Sequence, residues 1–152
     1  MFISYRRKDQ PILARHLHGL LSKRFRGQPV FTDVDNIELG QDFVDVVEER
    51  LARCCVLLVV IGDRWLTETD DDNRPRLESP RDFVRLEVEA GLRDPDVRVI
   101  PLLVDDARMP RETELPPSMA ALSRRNGQVL RSQQFDADFR VLVDRLAAIV
   151  SG

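Results

Sequence analysis

The stretch Cys54-Cys55-Val56-Leu57-Leu58-Val59-Val60-Ile61 decides the fold. It is apolar without a break and rich in β-branched side chains. A run this short reads as a strand buried on both faces, the habit of parallel sheets. Parallel strands need long crossover connections, usually helices, and the flanks supply them. Upstream, Phe43, Val46, Val47, Arg50 and Leu51 recur at helical spacing. Downstream, a polar loop over residues 62–80 leads to a helix over 82–92 and a second buried strand over 97–104. Cys54 and Cys55 are neighbours on a strand and so point to opposite faces. They read as buried thiols in a reducing compartment, not as a disulfide.

Further out the alternation continues. Residues 1–5 form a short apolar strand ended by Arg6-Arg7-Lys8-Asp9, with Asp9 as the expected N-cap of the next helix. Ile12, Leu13, His16, Leu17, Leu20, Leu21 and Phe25 give that helix its periodic face, and Gly27 stops it. Pro29-Val30-Phe31-Thr32 reads as the second strand, and the polar, glycine-containing segment 33–40 as a loop. The Asp- and Arg-rich part of the 62–80 loop, residues 68–76, reads as mobile. A proline-rich, weakly patterned stretch fills 105–117, a last short strand covers 128–130, and Phe135, Phe139, Leu142, Leu146 and Ile149 mark the final helix. Five strands alternating with helices predict a flavodoxin-like, doubly wound α/β fold, a five-stranded parallel sheet with helices on both faces. The length favours one domain over residues 1–152. In such sheets ligands bind beyond the carboxyl ends of the strands, which singles out the loops after Tyr5, over 33–40 and over 62–80.

The 152 residues are 43% hydrophobic and 32% charged with a net charge of −3, the profile of an ordinary soluble globular chain. There is no basic excess to hold nucleic acid or an anionic membrane surface. The longest apolar run is far too short to cross a bilayer. No signal-peptide pattern opens the chain, so a cytoplasmic setting is expected. His16 and His18 are two apart on a helix and face different ways, so they share no metal. Asp70-Asp71-Asp72 lacks calcium-loop spacing. Neither GxGxxG nor a phosphate-binding P-loop occurs, so a redox cofactor and an NTPase activity find no support, and no metal site is expected.

Four segments resemble TIR (Toll/interleukin-1 receptor) domains. Phe2-Ile3-Ser4-Tyr5 with Arg6-Arg7 is similar to the family's first signature box. Val30-Phe31-Thr32-Asp33-Val34 with residues 36–40 is similar to its second strand and the "BB" loop. Asp82-Phe83-Val84-Arg85-Leu86-Glu87-Val88 looks like the segment that carries the catalytic glutamate in NAD⁺-cleaving members, and Val99-Ile100-Pro101-Leu102 like the fourth strand. The resemblance is to the enzymatic, bacterial-type branch. It implies an immune effector that takes NAD⁺ as substrate rather than cofactor, releasing nicotinamide and ADP-ribose or a cyclic form. It also implies self-association through TIR–TIR contacts, with Ile37, Leu39 and Gly40 of the BB loop as the assembly surface, and a fused or separate sensor domain as partner. One departure is that Phe83 stands where the family often has Trp. It keeps an aromatic face and loses the indole N–H.

The residues bear on the chemistry directly. The neighbours of Glu87 at three and four positions are Phe83, Val84, Ala90 and Gly91, all apolar or small. Glu89 instead sits between Arg85 and Arg93, an outer salt-bridged face. Glu87 therefore projects from the less polar side of its helix. Cleaving the nicotinamide–ribose bond passes through an oxocarbenium-like state. Nicotinamide leaves neutral, so one carboxylate suffices to stabilise the developing cation. Phe83 is expected to stack on nicotinamide or to sit in the core. Arg6 and Arg7 suit a phosphate through their guanidinium forks, or simply solvate a loop. Phe43 is open to adenine stacking or core packing. Ser4 and Asp33 belong to strand ends facing the proposed cleft. The rivals are a non-catalytic TIR interaction module and a two-component receiver. A receiver needs acidic residues just after the first strand and a lysine after the fifth; here Arg6-Arg7 follow the first strand, and both lysines, Lys8 and Lys23, lie in the first quarter of the chain.

Overall fold

The computed structural model describes residues 1–32 and 37–152. Among them four parallel strands form one sheet in the order β1 (Phe2–Tyr5), β2 (Val56–Ile61), β3 (Arg98–Val104) and β4 (Gln128–Leu130). The helices are α1 (Pro11–Arg24), α2 (Phe43–Ala52), α3 (Phe83–Arg93) and α4 (Phe135–Val150). The expected fifth strand, over 29–32, is not among them. Only Phe31 bridges to β1: its N–H donates to the Met1 carbonyl at 2.9 Å and its carbonyl accepts from Ile3 at 2.7 Å. The physical reasons are local. Pro29 has no N–H to offer a ladder, and its carbonyl accepts from the Met1 ammonium at 2.6 Å instead of from a backbone amide of β1. The bridge still falls on the edge of β1 away from β2, the place that the doubly wound order assigns to this segment.

The β2 run is buried throughout, and alternation along it sorts two cores. Leu57, Val59 and Ile61 point to the layer of α2 and α3, where Phe2, Val47, Leu51, Val84 and Val88 meet them. Val56, Leu58 and Val60 point to α1 and α4, against Ala14, Leu17, Leu142 and Leu146. Helices thus cover both faces. Gly91 lets α3 lie close on the sheet, since a Cβ there would stand 2.5 Å from Leu57 Cδ2.

One local expectation changes. Asp9 does not cap α1, whose N-cap is Gln10 without a side-chain bond. Its carboxylate instead accepts the backbone N–H groups of Gly62 at 2.8 Å and Arg64 at 3.0 Å, tying the loop after β1 to the loop after β2. Burial pushes its carboxyl above the ordinary range despite those donors. The 68–76 segment carries a local turn. Asp70 accepts from the N–H groups of Asp72 and Arg74, Asn73 takes a left-handed φ of 60°, and Thr69 bridges Pro75. The acidic run is an Asx-type turn that closes on itself. No helix among the described residues is long and apolar enough to cross a membrane.

Candidate active site

The site begins with parity on β1. Phe2 faces the α2/α3 layer, and so does Ser4, two residues on. Its hydroxyl, fully buried, donates to Glu87 Oε1 at 3.0 Å. Glu87 lies on the inward face of α3 with Val84, Val88 and Gly91 and is only 5% exposed. A buried carboxylate is tolerated where polar groups meet it, and the Ser4 hydroxyl meets this one across the layer.

The first turn of α3 is anchored from outside the helix. Asp82 caps it by accepting the N–H of Arg85 at 3.1 Å. The same carboxylate takes both prongs of Arg6, Nη1 to Oδ1 and Nη2 to Oδ2, each at 2.9 Å. Arg6 Nε donates to the Trp65 carbonyl at 3.3 Å, and the two paired side chains are 4% and 7% exposed.

Beyond the carboxyl end of β1 these groups wall a cleft of about 300 Å³. The loop after β1 supplies Tyr5, Arg6, Arg7 and Lys8; the long connection before α3 supplies Glu68 and Arg76; α3 and its cap supply Asp82, Phe83, Val84 and Glu87. Four cations and three carboxylates meet here, with Lys8 Nζ 3.9 Å from Glu68 Oε1. Phe83 is 41% exposed at the rim, and Phe43, 48% exposed, meets it edge-on at 4.8 Å between centroids. Neither ring is a core residue. A larger groove of about 720 Å³ lies at the amino ends of β3 and β4, among Arg98, Arg125 and Arg145, remote from Glu87.

Of the residues named from sequence, the cleft gathers Arg6, Arg7, Phe83 and Glu87, with Ser4 beneath Glu87 and Phe43 beside Phe83. Asp33 lies outside the described residues. Ile37 is half-buried against the core, Leu39 stands fully in solvent, and Gly40 has a φ of +85° that favours glycine. Sequence reasoning missed Tyr5, Lys8, Glu68, Arg76 and Asp82. Asp82 carried a signal, an acid directly before a helical pattern, but its partner Arg6 is 76 residues away. Glu89 also differs from expectation. It is half-buried, takes Arg85 Nε at 3.1 Å and the Ser118 hydroxyl, while Arg93 goes to Glu48 at 3.4 Å. The stretch over 117–124, a 3-10 helix, covers the face that looked outward.

A parallel α/β sheet with an acid-floored cleft at its carboxyl end is the class that this geometry defines. The sequence matches the TIR domain family model over residues 1–143, and the chain belongs to that family. A search of curated proteins finds no match.

Proposed function

We propose that this TIR domain cleaves the nicotinamide–ribose bond of NAD⁺ with Glu87 as the catalytic carboxylate. The observation that carries the reading is Glu87 itself, a carboxylate on the core-facing side of α3 that is held by Ser4 and borders the cleft. The cleft is at the small end of the range for ligand pockets, roughly 300–1,000 Å³. It takes the nicotinamide riboside end of the substrate. Phe83 stacks on the nicotinamide ring, Phe43 extends the aromatic rim toward the adenine end, and Arg7 with Lys8 and Arg76 faces the diphosphate.

As the glycosidic bond lengthens, its electron pair leaves with nicotinamide, which becomes neutral. Positive charge spreads over C1′ and the ring oxygen of ribose, and the Glu87 carboxylate stabilises it. Water then adds to C1′ and gives up its proton, so NAD⁺ and water yield nicotinamide, ADP-ribose and one proton. A ribose or adenine nucleophile in place of water gives a cyclic product.

The test is nicotinamide release from NAD⁺ by the pure protein. It is run over a wide range of protein concentration, because TIR domains commonly self-associate and Leu39 is open to a second copy. Glu87→Gln is expected to lower turnover about 100- to 1,000-fold with the fold intact. A wild-type chain inactive at every concentration, or a Glu87→Gln variant that keeps its rate, overturns the reading in favour of a non-catalytic interaction module.

A further inference from the structure

We propose that Arg6 is a positioning residue: its buried pair with Asp82 clamps the first turn of α3 to the end of β1 and thereby sets Glu87 over Ser4. The inference rests on the reading of Glu87 given above and assigns Arg6 a role other than phosphate binding. Three facts carry it. Both terminal nitrogens of Arg6 are engaged by Asp82 at 2.9 Å and Nε by the Trp65 carbonyl at 3.3 Å, so each nitrogen of the fork already has a protein partner. Asp82 is at once the counterion of Arg6 and the N-cap of α3. Ser4 and Arg6 lie two residues apart at the end of β1, and Asp82 and Glu87 lie five apart on α3. Two ties therefore join the same two elements, one a hydrogen bond at the reacting group and one an ion pair about a turn of helix away. Loss of the second lets α3 shift at the first. A bidentate pair fixes direction as well as distance, which a single point charge does not.

The test uses Arg6→Lys and Asp82→Asn, with circular dichroism to confirm the fold. Asn is a good N-cap, so Asp82→Asn keeps the cap while removing the counterion. The clamp predicts that both variants lower kcat about tenfold to 100-fold, the loss that misplacement by about 1 Å brings, with KM for NAD⁺ within about twofold. It also predicts faster hydrogen exchange at the amides of the first turn of α3 in both. A phosphate contact predicts the reverse for Asp82→Asn: Arg6 is released toward substrate, KM falls and kcat holds. That result overturns the proposal, as does unchanged exchange in both variants. Hydrogen exchange reads the clamp even in a chain that turns over no NAD⁺, so failure of the clamp and failure of the Glu87 assignment are told apart. If Asp82→Asn does not fold, Arg6→Lys decides alone: raised KM at constant kcat counts against the clamp.

Discussion

Helices α2 and α3 open on the same three residues, Asp42-Phe43-Val44 and Asp82-Phe83-Val84, and then diverge. Asp42 is exposed and caps only its own helix, accepting from Val44 and Asp45. Asp82 caps its helix and binds a buried arginine. Val44 is 36% exposed where Val84 is 4% exposed, so α3 lies down on the sheet at its start and α2 stands off. Five residues past the cap, both helices point a side chain into the same core layer: Val47 in α2, 1% exposed, and Glu87 in α3, 5% exposed. One position is spent on packing and the other on a carboxylate. The difference teaches that the buried carboxylate, the proposed catalytic group, sits on the helix whose first turn is held from two sides.

The comparison breaks hardest if the two inward positions are exchanged in kind. Val47→Glu puts a carboxylate into an apolar layer with no Ser4 opposite it. A cost of about 3–5 kcal/mol is expected, read as a collapse of the urea midpoint. Ser4→Ala with Glu87→Leu makes α3 resemble α2 there. Removing both partners of a buried polar contact is neutral to favourable, and catalytic sites commonly sacrifice stability. A gain of about 1 kcal/mol, about 2–4 °C in Tm, is expected along with loss of NAD⁺ turnover. A lower Tm for the double variant contradicts the view that Glu87 is kept at the expense of packing.

The caps come next. Asp42→Ala removes a solvated N-cap and is expected to cost about 1 kcal/mol. Asp82→Ala strands the Arg6 guanidinium in a buried site and is expected to cost about 3–5 kcal/mol. Equal midpoints in urea for the two variants show that the ion pair adds nothing beyond the cap, and the asymmetry between the helices fails with it.

The sequence made some of this plain and hid the rest, for physical reasons. Periodicity is a local signal, so β2, α3 and the order of elements were legible. The inward turn of Glu87 was legible too, because its neighbours at three and four positions are apolar. Asp9, read as a cap, binds Gly62 and Arg64 instead, and Phe31 makes one bridge instead of a strand. Both outcomes depend on which distant backbone groups are left without partners. Glu89 looked outward because nothing nearby foretold that residues 117–124 fold back over it. The shared Asp-Phe-Val opening was in plain view, yet the sequence alone does not say which copy meets an arginine.

The smallest effect concerns the two rings. Phe43 and Phe83 hold equivalent positions, each directly after its helix cap, and they touch edge to face at 4.8 Å while both remain largely open to solvent, at 48% and 41% exposure. An aromatic pair contributes about 0.5–1.5 kcal/mol beyond area when well buried, and exposure of this extent reduces that. Phe43→Leu and Phe83→Leu are each expected to cost less than about 1 kcal/mol, within reach of ordinary surface changes. In the double variant the coupling should be about 0.5 kcal/mol, since the rings are in direct contact. The measurement is a double-mutant cycle on urea midpoints. A cost above about 2 kcal/mol for either ring means that the pair fastens α2 to α3 and is part of the core. Costs as small as expected leave the rings with little structural reason to be aromatic. Turnover of the same variants then separates the helices once more: Phe83→Leu, at the wall of the cleft, should impair NAD⁺ cleavage more than Phe43→Leu, whose ring stands behind Phe83.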